Sequence, residues 1–370
     1  MNKKILHISY GGLSHGGVSS VIFSIVDNLF SSFDFDCVVF NARGEQESKF
    51  LQYGNLYRFP CYTVDKTNPF EVLTRPFQLF FRTFFLCLRN KYDVIHVHNM
   101  CDAGLCLLSA KLAGVPIRIA HSHTNSPIDD SSIIKRFYRV LNRFLVNLAA
   151  THKIGCSEKA CRDFFGPTKY QVIYNSVDCS KFRFIDKSVN LDRMINFIHV
   201  GRFCSEKNQL FVLQVFKHLL SFLCNIHLYL IGYGEDLDLL KNYIYNNNLE
   251  EYVDLLDGTV ADIPMYFRKS NFMIFPSKSE GFGIVLIEAQ SSGCFCFVSE
   301  AIQNEVDLGY LEKIDLAEGP LEWAEHINQF IHCDMLSKKE FRFDMLPLYS
   351  KEHISKFYSN LYLGRLLEVS

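Results

Sequence analysis

The chain has 370 residues, 48% apolar and 21% charged, with a net charge of −2. That length exceeds one ordinary core and predicts about two domains, and the near-neutral balance excludes the basic surplus of a nucleic-acid binder. The charge is uneven, however: 20 basic and 14 acidic residues precede position 181, so the first half carries +6 and the remainder −8. A basic first domain is expected to face something anionic, such as a membrane surface or a phosphorylated lipid.

In chain order, the start lacks the apolar core and cleavage site of a signal peptide and goes straight into a strand, "KILHIS". The loop that follows, "SYGGLSHGGVSS" (9–20), places two glycine pairs before a helical run at 18–30. Glycines there let a backbone approach a phosphate. Gly12 and Gly17 have the spacing of a Walker loop, yet Val18 stands where its lysine must be, and the dinucleotide fingerprint is absent.

Further strands are expected at "FDCVVF", "VIHVHN", "IRIAHSH", "HKIGCS" and "YQVIYN", with a helix at 133–149. The polar stretch 185–193 reads as a linker. A second series follows: "NFIHVGR", "IHLYLIG", "YVDLLDG", "FMIFPS" and "CFCFVS", with a helix at 209–223. A last helix at 351–367 has no strand after it. This βαβα rhythm, run twice, predicts two α/β domains with parallel, doubly wound sheets, 1–184 and 194–345. The closing helix at 351–370 is expected to return to the first domain. Ligands of such sheets bind at the carboxyl ends of the strands, so the active site is expected between the domains, in loops that follow strands.

The 13 cysteines show no zinc spacing and are expected to be reduced, mostly buried thiols of a cytoplasmic protein. The most lipophilic window, 77–91, is interrupted by Arg82 and too short to span a bilayer. A soluble or peripheral protein is the expectation.

The densest chemical signal is "FPSKSEGFGIVLIEAQSSG" (275–293). Gly281 and Gly283 remove side chains where a backbone must come close to a ligand, and the following helix start is an anion site. Glu280 and Glu288 would repel a phosphate but suit hydroxyls, Glu288 a ribose diol and Glu280 a sugar hydroxyl. Phosphate between two polyols describes a sugar nucleotide. The plainer alternative is one glutamate favouring the helix dipole and another on the surface. "HVGRFCSEKNQ" (199–209) adds Arg202 and Lys207 after a strand. Two cations there suit a diphosphate, although a surface arginine and a first-turn lysine would read the same way. Gly232 in "LIGYGED" marks another glycine loop at a strand end.

Taken together, the glycine-pair loop, "DVIHVHN", "HSHT", "IYNSVD", "VGRF..EKN", "LIGYGE" and "EGFGIVLIEAQ" resemble the retaining GT-B glycosyltransferases of family four, from the first strand to about Trp323. The stretch 299–327 is similar to the bacterial branch that builds capsular, exopolysaccharide and other surface glycans. The resemblance implies two Rossmann-like domains facing across a cleft and transfer from a nucleotide sugar, UDP by default, to a lipid-linked or glycan acceptor. The transferred group would be a hexose or N-acetylhexosamine.

The resemblance also assigns residues. Arg202 and Lys207 match the pair that holds the donor diphosphate, Glu288 the ribose-binding carboxylate, and Glu280 the residue touching the transferred sugar. His123 matches a histidine that contacts donor-sugar hydroxyls; His121 shares its strand face and stays open, while His96 and His98 read as structural. Gly16 and Gly17 match the loop that meets the donor phosphate, with Ser19 where an acidic residue is frequent. The backbones of Gly283 and Ile284 would complete the contacts, and Gly281, Phe282, Gly232 and Asn175 are grouped with them as substrate-binding. No Asp-x-Asp motif follows a strand, so no metal and no other cofactor are expected; the cations and a helix start neutralise the diphosphate. Front-face displacement with retention is the expected mechanism.

The alternatives are a GT-B epimerase or phosphorylase, and a non-catalytic nucleotide-sugar-binding subunit of a glycan-assembly complex. The stretches 73–91 and 133–153 mix Phe and Leu with Arg and Lys, as interfacial helices do, or they are ordinary amphipathic helices packed on a sheet.

Overall fold

The computed structural model describes residues 2–9, 12–14, 17–40, 44–59, 69–98, 102–123, 133–178, 180–187, 189–258 and 262–365, with backbone alone at 69–73 and 134–135. Two compact units share the chain: 1–176 with 351–370, and 177–350.

The first unit runs β1 (Lys3–Ser9), α1 (Gly17–Leu29), β2 (Phe33–Phe40), α2 (Glu47–Phe50), β3 (Leu56–Phe59), α3 (Pro69–Asn90) and β4 (Val94–Val97). It continues with α4 (Ala103–Leu112), β5 (Ile117–Ser122), α5 (Ile133–Ala149), β6 (His152–Gly155), α6 (Glu158–Phe165) and β7 (Gln171–Val172). The second holds β8 (Ile195–Val200), α7 (Gln209–Leu219), β9 (Ile226–Gly232), α8 (Leu237–Asn246), β10 (Val253–Asp257) and α9 (Ile263–Lys269). It ends with β11 (Phe272–Phe275), α10 (Ile284–Ser291), β12 (Phe295–Ser299), β13 (Leu311–Ile314) and α11 (Pro320–His332); the final helix, α12 (Lys351–Leu363), belongs to the first unit.

Both sheets are parallel, in the orders β3-β2-β1-β4-β5-β6-β7 and β10-β9-β8-β11-β12-β13. These are doubly wound orders, and each reverses once, at β1/β4 and at β8/β11. Loops leaving the strands on either side of the reversal diverge, and a ligand site opens between them. Central strands such as β11 and β12 are buried along their whole length, as sheets covered on both faces require.

In the first unit the strand alternation sorts side chains into two cores. Ile5, Val94 and Ile119 pack with α1 and α12 on one face, and Leu6, Ile8, Ile95 and Val97 pack with α3 and α4 on the other. α12 buries Ile354, Phe357, Tyr358, Leu361 and Tyr362 in the first of these. Two strands differ from the sequence reading. β3 and β13 lie at sheet edges, pair on one side, and carry Tyr57–Arg58 and Glu312–Lys313, so they lack the apolar run that marks interior strands. "YQVIYN" forms only the two-residue edge ladder β7.

The change of unit falls at 176/177, ahead of the polar stretch 185–193 and of position 184. Val177 donates its N–H to the Tyr349 carbonyl at 2.8 Å, Phe182 packs on Phe267 and Phe184 on Phe341. These apolar anchors tie 177–184 to the second core, and the polar composition further on marks exposed chain inside that unit.

Candidate functional site

In the second unit the β8 and β11 loops meet at the sheet reversal. Lys278 N–H donates to the Glu206 carbonyl at 2.8 Å, and Asn208 Nδ2 donates to the Pro276 carbonyl at 3.2 Å. Asn208 holds φ +60°, a left-handed turn that starts α7 and that asparagine tolerates better than most residues. On this frame Lys207 Nζ donates to Glu280 Oε2 as an ion pair, and also lies 5.3 Å over the Phe275 ring. Arg202 is exposed at the head of the same loop. The two loops thus bring Lys207 and Glu280 together, with Lys207 neutralised by the carboxylate across from it, while Arg202 stands earlier on the β8 loop.

Two residues that the sequence reading left out hold this loop, and a third lies buried on the loop it meets. His199, buried on β8, sits 2.9 Å from the Ile274 carbonyl through Nδ1 and 3.2 Å from Gln209 Nε2 through Nε2. Burial pushes its imidazole down to about 4, so it is neutral, with Nδ1 donating and Nε2 accepting. Gln209 in turn donates to the Arg202 carbonyl at 2.7 Å, which fixes the arginine's backbone. Ser277 is buried at the start of the β11 loop, and its hydroxyl has no partner among the described residues. The signals were a polar side chain on an otherwise apolar strand and a glutamine at a helix start, both common enough to pass unnoticed.

Gly232 has a backbone reason to be glycine: a Cβ there would stand 1.9 Å from the Gly201 carbonyl oxygen. The end of β9 therefore presses directly on the loop that carries Arg202. Gly283 caps α10 with φ +80°, and Gly281 N–H turns back to Glu280 Oε1 at 3.2 Å. The N–H groups of Gly283 and Ile284 have no acceptor among the described residues, which leaves a helix start able to receive an anion. Phe282 is buried against Tyr349, so its ring is packing. Glu288 lies half-buried in α10, its carboxylate with no ion pair or hydrogen bond among the described residues. Burial pushes its carboxyl up to about 8. A group that costly to ionise alone favours a partner with hydroxyls to donate.

In the first unit, Gly17 opens α1 and faces open space; Gly16 lies outside the described residues. Ser19 is buried and accepts a hydrogen bond from Ser14 N–H at 3.1 Å, so it clasps the loop. Asn175 is half-buried just before the change of unit.

His121 near the end of β5 and His123 just beyond it form a cluster with His7, His96 and His98. His7 Nδ1 lies 2.9 Å from His98 Nε2, and His98 Nδ1 lies 2.8 Å from His123 Nε2. His96 bridges Tyr362 Oη, at 2.9 Å, and His121 Nδ1, at 3.1 Å. Burial lowers all five imidazoles far below their ordinary value, so they are neutral. His123, half-buried, stands nearest to solvent.

α3 and α5 turn apolar faces outward. Phe77, Phe81, Phe85 and Leu88 form an exposed stripe on α3, and Ile133, Phe137, Val140, Phe144 and Leu148 one on α5, with Phe81 51% and Phe137 68% exposed. Arg82, Arg89 and Arg136 are exposed on the same helices. Both helices pack on α4 through their other sides. No helix of the described residues is long and apolar enough to cross a membrane.

Two family models match consecutive parts of the chain: "Glycosyltransferase Family 4" over residues 15–181 and "Glycosyl transferases group 1" over 181–340. The capsular polysaccharide biosynthesis glycosyltransferase CapH of Staphylococcus aureus is 25% identical, over 98% of this chain and 99% of that protein. The Escherichia coli UDP-Gal:alpha-D-GlcNAc-diphosphoundecaprenol alpha-1,3-galactosyltransferase is 29% identical, over 62% of this chain and 65% of that protein. Among solved structures, Anabaena Alr3699/HepE in complex with UDP and glucose superposes with a TM-score of 0.74 at 18% identity, covering 99% of this chain and 100% of that one.

Proposed function

Because the chain belongs to the GT-B glycosyltransferases of family 4, we propose that it moves a hexose or N-acetylhexosamine from a UDP-sugar to a lipid-linked saccharide, with retention, in the building of a bacterial surface polysaccharide. The observation that carries this reading is the Arg202–Lys207–Glu280 group on the two loops of the β8/β11 reversal, with Glu288 and a free helix start beside it. Relatives supply the substrate class: a capsular enzyme, one named for UDP-Gal and a diphosphoundecaprenol acceptor, and a solved neighbour holding UDP.

The chemistry follows from the charges. The bond between the sugar's anomeric carbon and the donor phosphate breaks, and the acceptor hydroxyl oxygen bonds to that carbon on the same face. Its proton passes to the departing phosphate oxygen. Arg202, Lys207 and the α10 start stabilise the growing diphosphate charge without a dissociable metal ion. Lys207 exchanges Glu280 for the diphosphate as the donor arrives, which frees the Glu280 carboxylate for a hydroxyl of the transferred sugar. Glu288 accepts the ribose diol. On the first unit, His123 presents the imidazole nearest to solvent to sugar hydroxyls, and the loop at Gly16 and Gly17 admits phosphate.

The outward faces of α3 and α5 suit an anionic bilayer, where Phe and Leu insert and Arg meets headgroups. A lipid-linked acceptor would be met there, with the protein peripheral on the cytoplasmic side. Incubating the protein with a panel of UDP-sugars and a polyprenyl-diphosphate saccharide tests the reading. Release of UDP with a product of retained anomeric configuration is expected. An epimerised donor without transfer, or no UDP from any donor, would overturn it.

A further inference from the structure

Five histidines of the first unit, His7, His96, His98, His121 and His123, come from three neighbouring strands and share one sheet face. His7 stands opposite His96 in the β1/β4 ladder, and His98, His121 and His123 continue the face toward the strand ends, with the His121 and His123 rings 3.8 Å apart. Below them the same face is apolar, through Ile5, Val94 and Ile119. Nothing in glycosyl transfer as proposed above requires His7, His96, His98 or His121.

Hydrogen bonding among the rings does not satisfy them. Each neutral imidazole brings one donor and one acceptor, and the two chains of contacts leave His7 Nε2, His121 Nε2 and His123 Nδ1 without a partner among the described residues. A buried nitrogen left unpaired costs about 1–3 kcal/mol, and here three accumulate in one cluster. A cation at the open end of the cluster would take up the orphaned nitrogen of His121 and draw on His123 beside it.

We propose that His98, His121 and His123 form a binding site for a divalent transition-metal ion of the zinc class. One nitrogen from each lies within 4.8 Å of the other two. Three imidazole nitrogens around one zinc stand about 3.4 Å apart, a spacing that small ring rotations reach within that span. Three neutral nitrogen donors select zinc, nickel or copper over magnesium or calcium, which take oxygen. His98 and His121 are 4% and 1% exposed, while His123 at the strand end is half-buried and provides the route of entry.

The rings are also held from behind, as metal-bound histidines usually are. His98 Nε2 contacts His7 Nδ1 at 2.9 Å, and His121 Nδ1 contacts His96 Nε2 at 3.1 Å, with Tyr362 Oη beyond at 2.9 Å. An ion on His121 Nε2 leaves that support intact. Three protein ligands leave a fourth position open to an oxygen, as from water or a hydroxyl. Such an ion revises the expectation of a chain without metal, and it is separate from the diphosphate, which the second unit neutralises.

The test uses the full chain without a histidine tag. Metal content of the purified protein is measured by mass spectrometry, and Co2+ is titrated into chelator-treated protein. About one ion per chain is expected, with the visible absorption bands of four-coordinate cobalt. His98→Ala should abolish both. His123→Gln, at the less buried edge, should weaken Co2+ binding at least about tenfold with an unchanged circular-dichroism spectrum, and it decides the matter if His98→Ala does not fold. A protein that carries no metal and takes up no Co2+, or a folded His123→Gln that binds as the wild type does, would show only a ladder of neutral imidazoles and overturn the site.

Discussion

Lys207 and Glu280 form an ion pair between the loops that leave β8 and β11, so the cation expected to meet a diphosphate is held by the carboxylate expected to meet a sugar. Each neutralises the other until a ligand separates them. Lys207→Ala should therefore lower turnover by about 10²-fold or more. Glu280→Gln should tighten the binding of free UDP, because Lys207 loses its competitor, while slowing transfer. The check is UDP affinity by calorimetry beside the rate of sugar transfer. Equal loss of UDP affinity in both variants would refute the exchange.

Glu288 makes stability depend on pH. Its carboxyl is pushed up to about 8 in the fold, whereas in the unfolded chain it ionises at an ordinary carboxylate value. Between those two values the native state holds the extra proton. Its contribution therefore turns against the fold as pH rises toward 8, at no more than about 1.4 kcal/mol per pH unit. Glu288→Gln should be stabilised relative to wild type at pH 8 and gain little at pH 5, as read by urea unfolding. The same difference at both values would count against a buried, unpartnered carboxyl. In the same variant UDP affinity should fall, since the amide no longer accepts from both ribose hydroxyls.

The close approach of Gly232 to Gly201 gives a test that removes no functional group. A methyl at position 232 must displace the Gly201 carbonyl, which lies 1.9 Å from where the Cβ would stand. Gly232→Ala should cost about 1–3 kcal/mol, as overpacking does, and weaken UDP binding by moving the loop that bears Arg202. Unaltered melting temperature and affinity together would show that the two strands do not press on one another.

Phe81 and Phe137 are too exposed to hold the core. Phe81→Ser with Phe137→Ser should leave the melting temperature unchanged and reduce co-sedimentation with vesicles containing anionic phospholipid. Binding should also weaken as salt rises, because the Arg contribution is screened. Vesicle binding equal to wild type, or absent in both, would remove the membrane from the account of these helices.

Much of the fold and the site is local in origin. The strand-helix rhythm, the glycines at strand ends, and Arg202, Lys207, Glu280 and Glu288 within two short stretches follow from neighbouring residues, because strand period, turn geometry and helix starts are set by a few consecutive side chains. The edge strands β3 and β13 escaped notice because an edge is defined by the absent neighbour, which no window of sequence contains. Nor could a window of sequence separate packing helices from outward-facing ones. α5 has the same periodicity either way, and only the contact with α4 along its other side left Phe137 and Phe144 exposed.

By itself the sequence determined a chain of two parallel α/β domains with a sugar-nucleotide signature in the second. The tertiary structure decided how the charged groups are spent. Parallel pairing of β8 with β11 brings positions 207 and 280 together, which turns the glycine-loop carboxylate into the partner of Lys207. Parallel pairing of β1, β4 and β5 stacks histidines from positions 7 to 123 on one face, under a helix that starts at position 351. Register between distant strands is a property of the packed sheet, since the energy that selects it comes from burying both faces at once.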